Sequence, residues 1–151
     1  MRLTRYTDYA LRTLLYLGAN EPRQSSIAEI ARAYGISENH LTKVVHQLGR
    51  LGLVRTIRGR GGGLRLALSP GEIVVGAVVR QTEEDLALVE CFGEGACAIT
   101  PACRLRRALA EALAAFLAVL LIGTFAGVDL VSMTHLGAVT AVARGDGGWE
   151  T

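Results

Sequence analysis

Cys91, Cys97 and Cys103 are the only cysteines of this 151-residue chain, and five residues separate each from the next. Thiolates bind soft metals and iron–sulfur clusters, and Gly93-Glu94-Gly95 supplies a flexible loop on which the sulfurs can converge. The spacing is not the Cys-x-x-Cys of structural zinc sites. Three small buried side chains, or a Cys91–Cys97 disulfide, would be the structural alternative. Even spacing, the glycine loop and the absence of other cysteines favour a metal centre. A cluster takes four protein ligands as a rule, so three thiolates leave one corner to another residue, from the same or another chain. Asp8, His40, His46, His135 or a glutamate can fill it. Such a corner holds iron more weakly than a thiolate and suits sensing. Three cysteines and one further ligand fit a [4Fe–4S] or a [2Fe–2S] cluster.

The other chemistry-bearing group is basic. Residues 1–80 hold twelve Lys and Arg against five Asp and Glu, net +7, while residues 81–151 hold four against nine, net −5. The split predicts a polyanion partner for the first half and a different task for the second. An odd cysteine count argues against a disulfide framework, and the N-terminal stretch lacks the apolar core and small-residue cleavage site of a secretory signal. A cytoplasmic protein is expected.

The elements that position these residues follow from periodicity. Apolar side chains from Leu3 to Leu17 recur at helical spacing, with Gly18 placed to end that helix. Ser26-Ile27-Ala28-Glu29 is a capping box opening a short helix that Gly35 stops. Ser37 then caps a helix whose inner face is Leu41, Val44, Val45 and Leu48, closed by Gly49 or Gly52. Helix, short glycine-containing turn, helix is a helix-turn-helix. Two strands, 53–57 and 64–68, flank Arg58-Gly59-Arg60-Gly61-Gly62-Gly63, giving a β-hairpin wing with two arginines at its tip. The glycine run lacks the Gly-Lys-Ser/Thr ending of a phosphate loop. On DNA, the second helix would offer Ser37, Asn39, His40, Lys43 and His46 to base edges and phosphates, and Arg58 and Arg60 would reach the minor groove or the backbone beside it.

Residues 72–82 carry a helical apolar face that joins the wing to the acidic connector Glu83-Glu84-Asp85. A long helix is expected from Pro101 to about Thr124, with Leu105, Leu109, Leu113, Leu117 and Leu121 every four residues, widened by Phe116 and Leu120. The 17 uncharged residues 112–128 are at the low end of what spans a bilayer. Glu111 and Asp129 bound them, and glycines and alanines interrupt them, so pairing with a second copy explains them better than lipid does. The expected fold is mainly α: a winged helix-turn-helix domain (1–80), a cysteine-rich loop (81–103), a long C-terminal dimerisation helix (104–132) and a partly disordered tail (133–151).

Together these residues resemble the nitric-oxide-sensing members of the family of winged-helix regulators that includes the iron–sulfur regulator IscR. The likeness covers residues 1 to about 132. It rests on MRLTRYTDYALR, ISENHLTKVVHQLGRLGLV and RGRGGGLRLA, and above all on the cysteine loop running on as CAITPACRLRRALAEALAAFLAVL. It departs at residues 121–127, where relatives are more polar. The resemblance implies that Cys91, Cys97 and Cys103 hold an iron–sulfur cluster, with Asp8 of the opposite subunit as fourth ligand. It also implies a homodimer that represses transcription from a palindromic operator and releases it when nitric oxide nitrosylates the cluster, at nitric-oxide detoxification genes. The rivals are a same-fold regulator reading cluster supply or redox state, and an electron-transfer iron–sulfur protein. The arginine wing speaks against the second. An enzyme is not expected.

Overall fold

A computed structural model of the chain describes residues 2–93, 97, 99 and 102–125. Helix α1 (Arg5–Ala19) starts behind Thr4, whose hydroxyl accepts from the Thr7 amide. It does not stop at Gly18, as the sequence led us to expect. The main-chain and side-chain amides of Asn20 both donate to the Tyr16 carbonyl, at 3.2 and 2.8 Å, and end the helix there. Gly18 stays helical, on the side of α1 that faces Leu66 and Pro70, where a Cβ would make ordinary van der Waals contact.

Helices α2 (Ile27–Tyr34) and α3 (Glu38–Arg50) form the helix-turn-helix. The Ser26–Glu29 capping box is present, and Gly35 closes α2 with φ +63°. Ile36 is buried in the turn, and Leu41, Val44, Val45 and Leu48 are buried as the spacing predicts. Beyond α3, Gly52 takes φ +71° and turns the chain into the wing. Glu29 fastens α2 to the rest. It accepts from the Tyr16 hydroxyl at 2.9 Å and from Arg23 at 2.6 Å. The bond from Arg23, opposed by burial and helped by Tyr16, holds its carboxyl below the ordinary range.

Strands β1 (Val54–Ile57) and β2 (Gly63–Leu66) pair antiparallel, Val54 with Leu66 and Ile57 with Gly63. Both are shorter than expected. Val54, Leu64 and Leu66 face the core. These residues join Ala10, Leu14, Leu17, Ile30, Leu41 and Leu48 in one cluster. Each large aliphatic side chain so buried contributes about 1.5–3 kcal/mol of transfer free energy.

The chain then reaches α4 (Val75–Thr82), three residues later than the expected start. Ser69 and Glu72 build a separate 3-10 turn at Pro70–Glu72, and extended Ile73 and Val74 run antiparallel to residues 123–125, with the Val75 amide donating to the Gly123 carbonyl. Helix α5 (Arg104–Ile122) begins at Arg104 rather than Pro101, because the Cys103 sulfur caps it. Nor does its leucine stripe wait entirely for a second copy. Leu117 is buried and Leu109, Leu113, Phe116 and Leu120 are half-buried, and α5 packs on α4 of its own chain. Leu105, Val119, Leu121 and Ile122 stay exposed, Ile122 at 84%. Among the described residues no helix is long and apolar enough to cross a membrane. Pro101, His135 and the expected tail lie outside the described residues.

At Gly76 the two helices nearly touch. A Cβ there would stand 2.9 Å from the Leu121 nitrogen and 3.0 Å from the Leu120 carbonyl carbon. Backbone cannot retreat as a side-chain tip can, so Gly76→Ala is expected to destabilise the fold by about 1–3 kcal/mol, the usual cost of overpacking. Urea unfolding at an unchanged midpoint would show that α4 and α5 do not approach this closely.

Candidate nucleic-acid interface and cysteine centre

Of the residues expected to meet DNA, Ser37, Asn39, His40 and Lys43 are all exposed at the start of α3. Ser37 occupies the N-cap position without spending its hydroxyl on the helix. His46 is exposed as well, and Asn39, Lys43, His46 and Arg50 stand four, three and four residues apart, which lays them along one face of α3. Arg50 is the member of this stripe that the sequence reading passed over, although the same spacing rule identifies it. Glu38, also exposed, adds an acceptor at the helix start. Thr42 adds a methyl group, its hydroxyl being bonded to the Glu38 carbonyl at 2.8 Å.

The wing tip is built for a tight turn. Gly59 and Gly61 take φ +106° and +76°. A Cβ on Gly62 would meet the Ile57 carbonyl oxygen at 2.3 Å. The turn leaves Arg58 and Arg60 exposed. Some arginines of the basic half have internal partners. Arg12 pairs with Asp8 at 2.9 Å and lies over the Tyr34 ring, Arg23 pairs with Glu29, and Arg65 donates to the Pro22 carbonyl. Arg50, Arg58 and Arg60 have no ion pair among the described residues, which leaves their charge for an outside anion. Arg65 stands directly across the hairpin from Arg55, and its bond to Pro22 draws the like charge aside.

At the cysteine loop, Cys91 and Cys103 are half-buried, Cys97 is exposed, and all three are free thiols. Arg106 ties two of them together. Its main-chain amide donates to the Cys103 sulfur at 3.4 Å, its guanidinium donates to the Cys91 carbonyl at 3.1 Å, and it lies over the Phe92 ring. Residues 94–96, 98, 100 and 101 are outside the described set. Among the described residues no three His, Cys, Asp or Glu side chains are gathered closely enough to hold a metal ion. The donor chemistry nonetheless fits a soft metal centre. The first turn of α5 carries Arg104, Arg106 and Arg107 and no acid, which opposes the helix dipole unless negative charge stands before it. Cys91 and Cys103, bound to a metal as thiolates, would supply that charge.

Asp8 lies in the first turn of α1, its carboxylate 43% exposed and paired with Arg12 one turn on. An exposed pair of this kind is worth about 0–1 kcal/mol, so another ligand can take the carboxylate at little cost.

Comparison with known proteins agrees with this geometry. Residues 3–128 match the family model Rrf2, described as an iron-dependent transcriptional regulator. The chain is 61% identical over 123 residues to the HTH-type transcriptional regulator NsrR of Geobacillus kaustophilus, covering 80% of this chain and 84% of that one. It is 54% identical to the NsrR of Bacillus subtilis over the same shares. Among solved structures it resembles CymR, the global cysteine regulator of B. subtilis, with a TM-score of 0.69 at 25% identity, over 84% of this chain and 95% of that one.

Arg58→Ala and Arg60→Ala are each expected to weaken duplex DNA binding whatever its sequence, and to reduce the slope of log affinity against log salt by about 1. Fluorescence anisotropy across a salt series reads this. An unchanged slope in the double variant would remove the wing from the interface.

Proposed function

Because the chain belongs to the Rrf2 family of iron-dependent transcriptional regulators, we propose that it acts as a homodimeric repressor of a palindromic operator, with an iron–sulfur cluster on its cysteines and nitric oxide as the signal that releases DNA. Transcriptional regulation, and not catalysis, is the role the family shares. The observation that carries the cluster reading is the start of α5, where a cysteine sulfur caps a helix opened by arginines and Arg106 binds a second cysteine's backbone. Nitric oxide as the signal rests on the resemblance of the loop from Cys97 onward to the nitric-oxide-sensing members.

When bound, the cluster supplies iron open to attack by nitric oxide at the corner without a thiolate. The chain's own work is to hold and to transmit. Cys91, Cys97 and Cys103 give three thiolates, and Asp8 of a second copy gives the fourth ligand in exchange for its Arg12 pair. The exposed Leu105, Val119 and Ile122 of α5 offer apolar surface to that copy. A dimer places two α3 helices about one DNA turn apart, and α1, packed on α3, carries a change at Asp8 to the reading face.

Anaerobic purification is expected to give coloured protein containing iron and sulfide. It should retain a duplex selected from a random pool and release it on titration with nitric oxide. Cys97→Ala is expected to lose the colour and the response together. Retention with full response in that variant would overturn the sensor reading, and release by an oxidant but not by nitric oxide would favour the redox-sensing rival. Asp8→Ala is expected to alter cluster absorbance and DNA release. If it leaves both unchanged, another residue completes the ligand set.

A further inference from the structure

The connector to Cys91 leaves α4 at Glu83, and there it is fastened to α1. The Glu83 amide donates to the Val79 carbonyl at 2.9 Å and closes α4. Its carboxylate Oε1 accepts from both the main-chain amide and the hydroxyl of Thr4, at 2.8 and 3.0 Å. Thr4 is the N-cap of α1, so a carboxylate stands at the positive end of that helix. One turn inward, the Thr7 hydroxyl donates to Thr82 Oγ1 at 2.9 Å, and Thr82 donates to the Val78 carbonyl at 2.9 Å. Thr7 is 0% exposed and Thr82 7%.

Thr82 donates to Val78 and Thr7 to Thr82, so the bond from α1 to α4 has a single sense, while the Thr4 hydroxyl proton has two acceptors in reach, Glu83 Oε1 at 3.0 Å and Thr7 Oγ1 at 3.2 Å. Two threonines stand where valines would fill nearly the same volume. A hydrogen bond has direction and a methyl contact has none, so the pair fixes how α1 sits along α4. Asp8 follows Thr7 directly, and Cys91 lies eight residues beyond Glu83. One latch therefore holds both the helical turn that carries Asp8 and the strap that carries Cys91.

We propose that Glu83 and Thr82 are positioning residues that couple the cysteine connector to the first turn of α1 and, through the packing of α1 on α3, to the DNA-reading helix. The regulatory meaning rests on the function proposed above. The coupling itself is tested without metal or DNA.

Hydrogen–deuterium exchange on the full metal-free chain reads it reciprocally. Glu83→Ala is expected to speed exchange of the Thr7 and Asp8 amides, and Thr4→Ala that of the Glu83 amide, which closes α4 at the start of the connector. Each effect is about tenfold, the ratio expected for one charge-assisted hydrogen bond, while the amides of Ile30 and Val44 keep wild-type rates. Thr82→Val is expected to loosen the Thr7 and Asp8 amides with the Glu83 carboxylate intact. Glu83→Gln, which keeps an acceptor, restores part of the protection. Variants that loosen only their own segment would overturn the coupling. In protein loaded with iron and sulfide, Glu83→Ala is expected to keep cluster absorbance but shrink the difference in DNA affinity between loaded and unloaded forms. A wild-type chain that takes up no iron and sulfide defeats the regulatory reading, and the exchange result then decides the latch by itself.

Discussion

Burial of α1 on three sides is the constraint from which the arrangement follows. Helix α3, helix α4 and strand β2 all pack against it, with Ala10, Leu14 and Leu17 at the contact. A helix so enclosed must have its polar groups satisfied internally, and it does: Thr13 donates to the Tyr9 carbonyl at 2.7 Å, and Thr7 is bonded to Thr82. An element that touches the reading helix on one side and the cysteine-bearing half on another cannot shift without moving one relative to the other. The core is close-packed and does not absorb such shifts by deforming.

Much of this was legible in the sequence where the determinants are local. The Ser26–Glu29 box, Gly35, Ile36 and the inner face of α3 lie within a few residues of what they control, and the structure places them as read. The misread boundaries have non-local or unusual causes. Gly18 remains helical, because the two amides of Asn20 end α1 on the Tyr16 carbonyl beyond it. The start of α5 depends on a sulfur acting as a cap, for which no sequence rule gives a strong signal. Part of the leucine stripe packs on α4, because Gly76 lets the two backbones come close. The candidate site divides in the same way. Residues on α3 are readable from spacing along a helix, and the cysteines from their even separation. The pairing of Thr4 with Glu83 spans 79 positions and leaves no periodic trace.

The charge asymmetry also acquires a structural meaning. A basic half with net charge +7 repels itself, and the fold relieves this by giving several arginines internal partners: a carboxylate for Arg12 and Arg23, a carbonyl for Arg65. Among the charges left without an ion pair, Lys43 and Arg50 lie along α3 and Arg58 and Arg60 at the wing tip. Glycines at that tip give up side-chain packing to let the turn close, so the wing is held at its base by Val54, Leu64 and Leu66 and carries its charge at the free end. Neutralising every arginine would give a more cohesive domain with a much weaker field for steering it to a polyanion.

The cap on α5 bears on how this chain is able to change over time. A hydroxyl or a carboxylate accepts a hydrogen bond from a helix amide better than sulfur does, and Ser or Asp is the preferred residue at such a position. Helix stability alone therefore gives no reason for cysteine at 103. A lineage that drifted from Cys103 to serine would keep a capped α5 while losing the soft ligand proposed there, so on that reading the scaffold can outlive the chemistry it hosts.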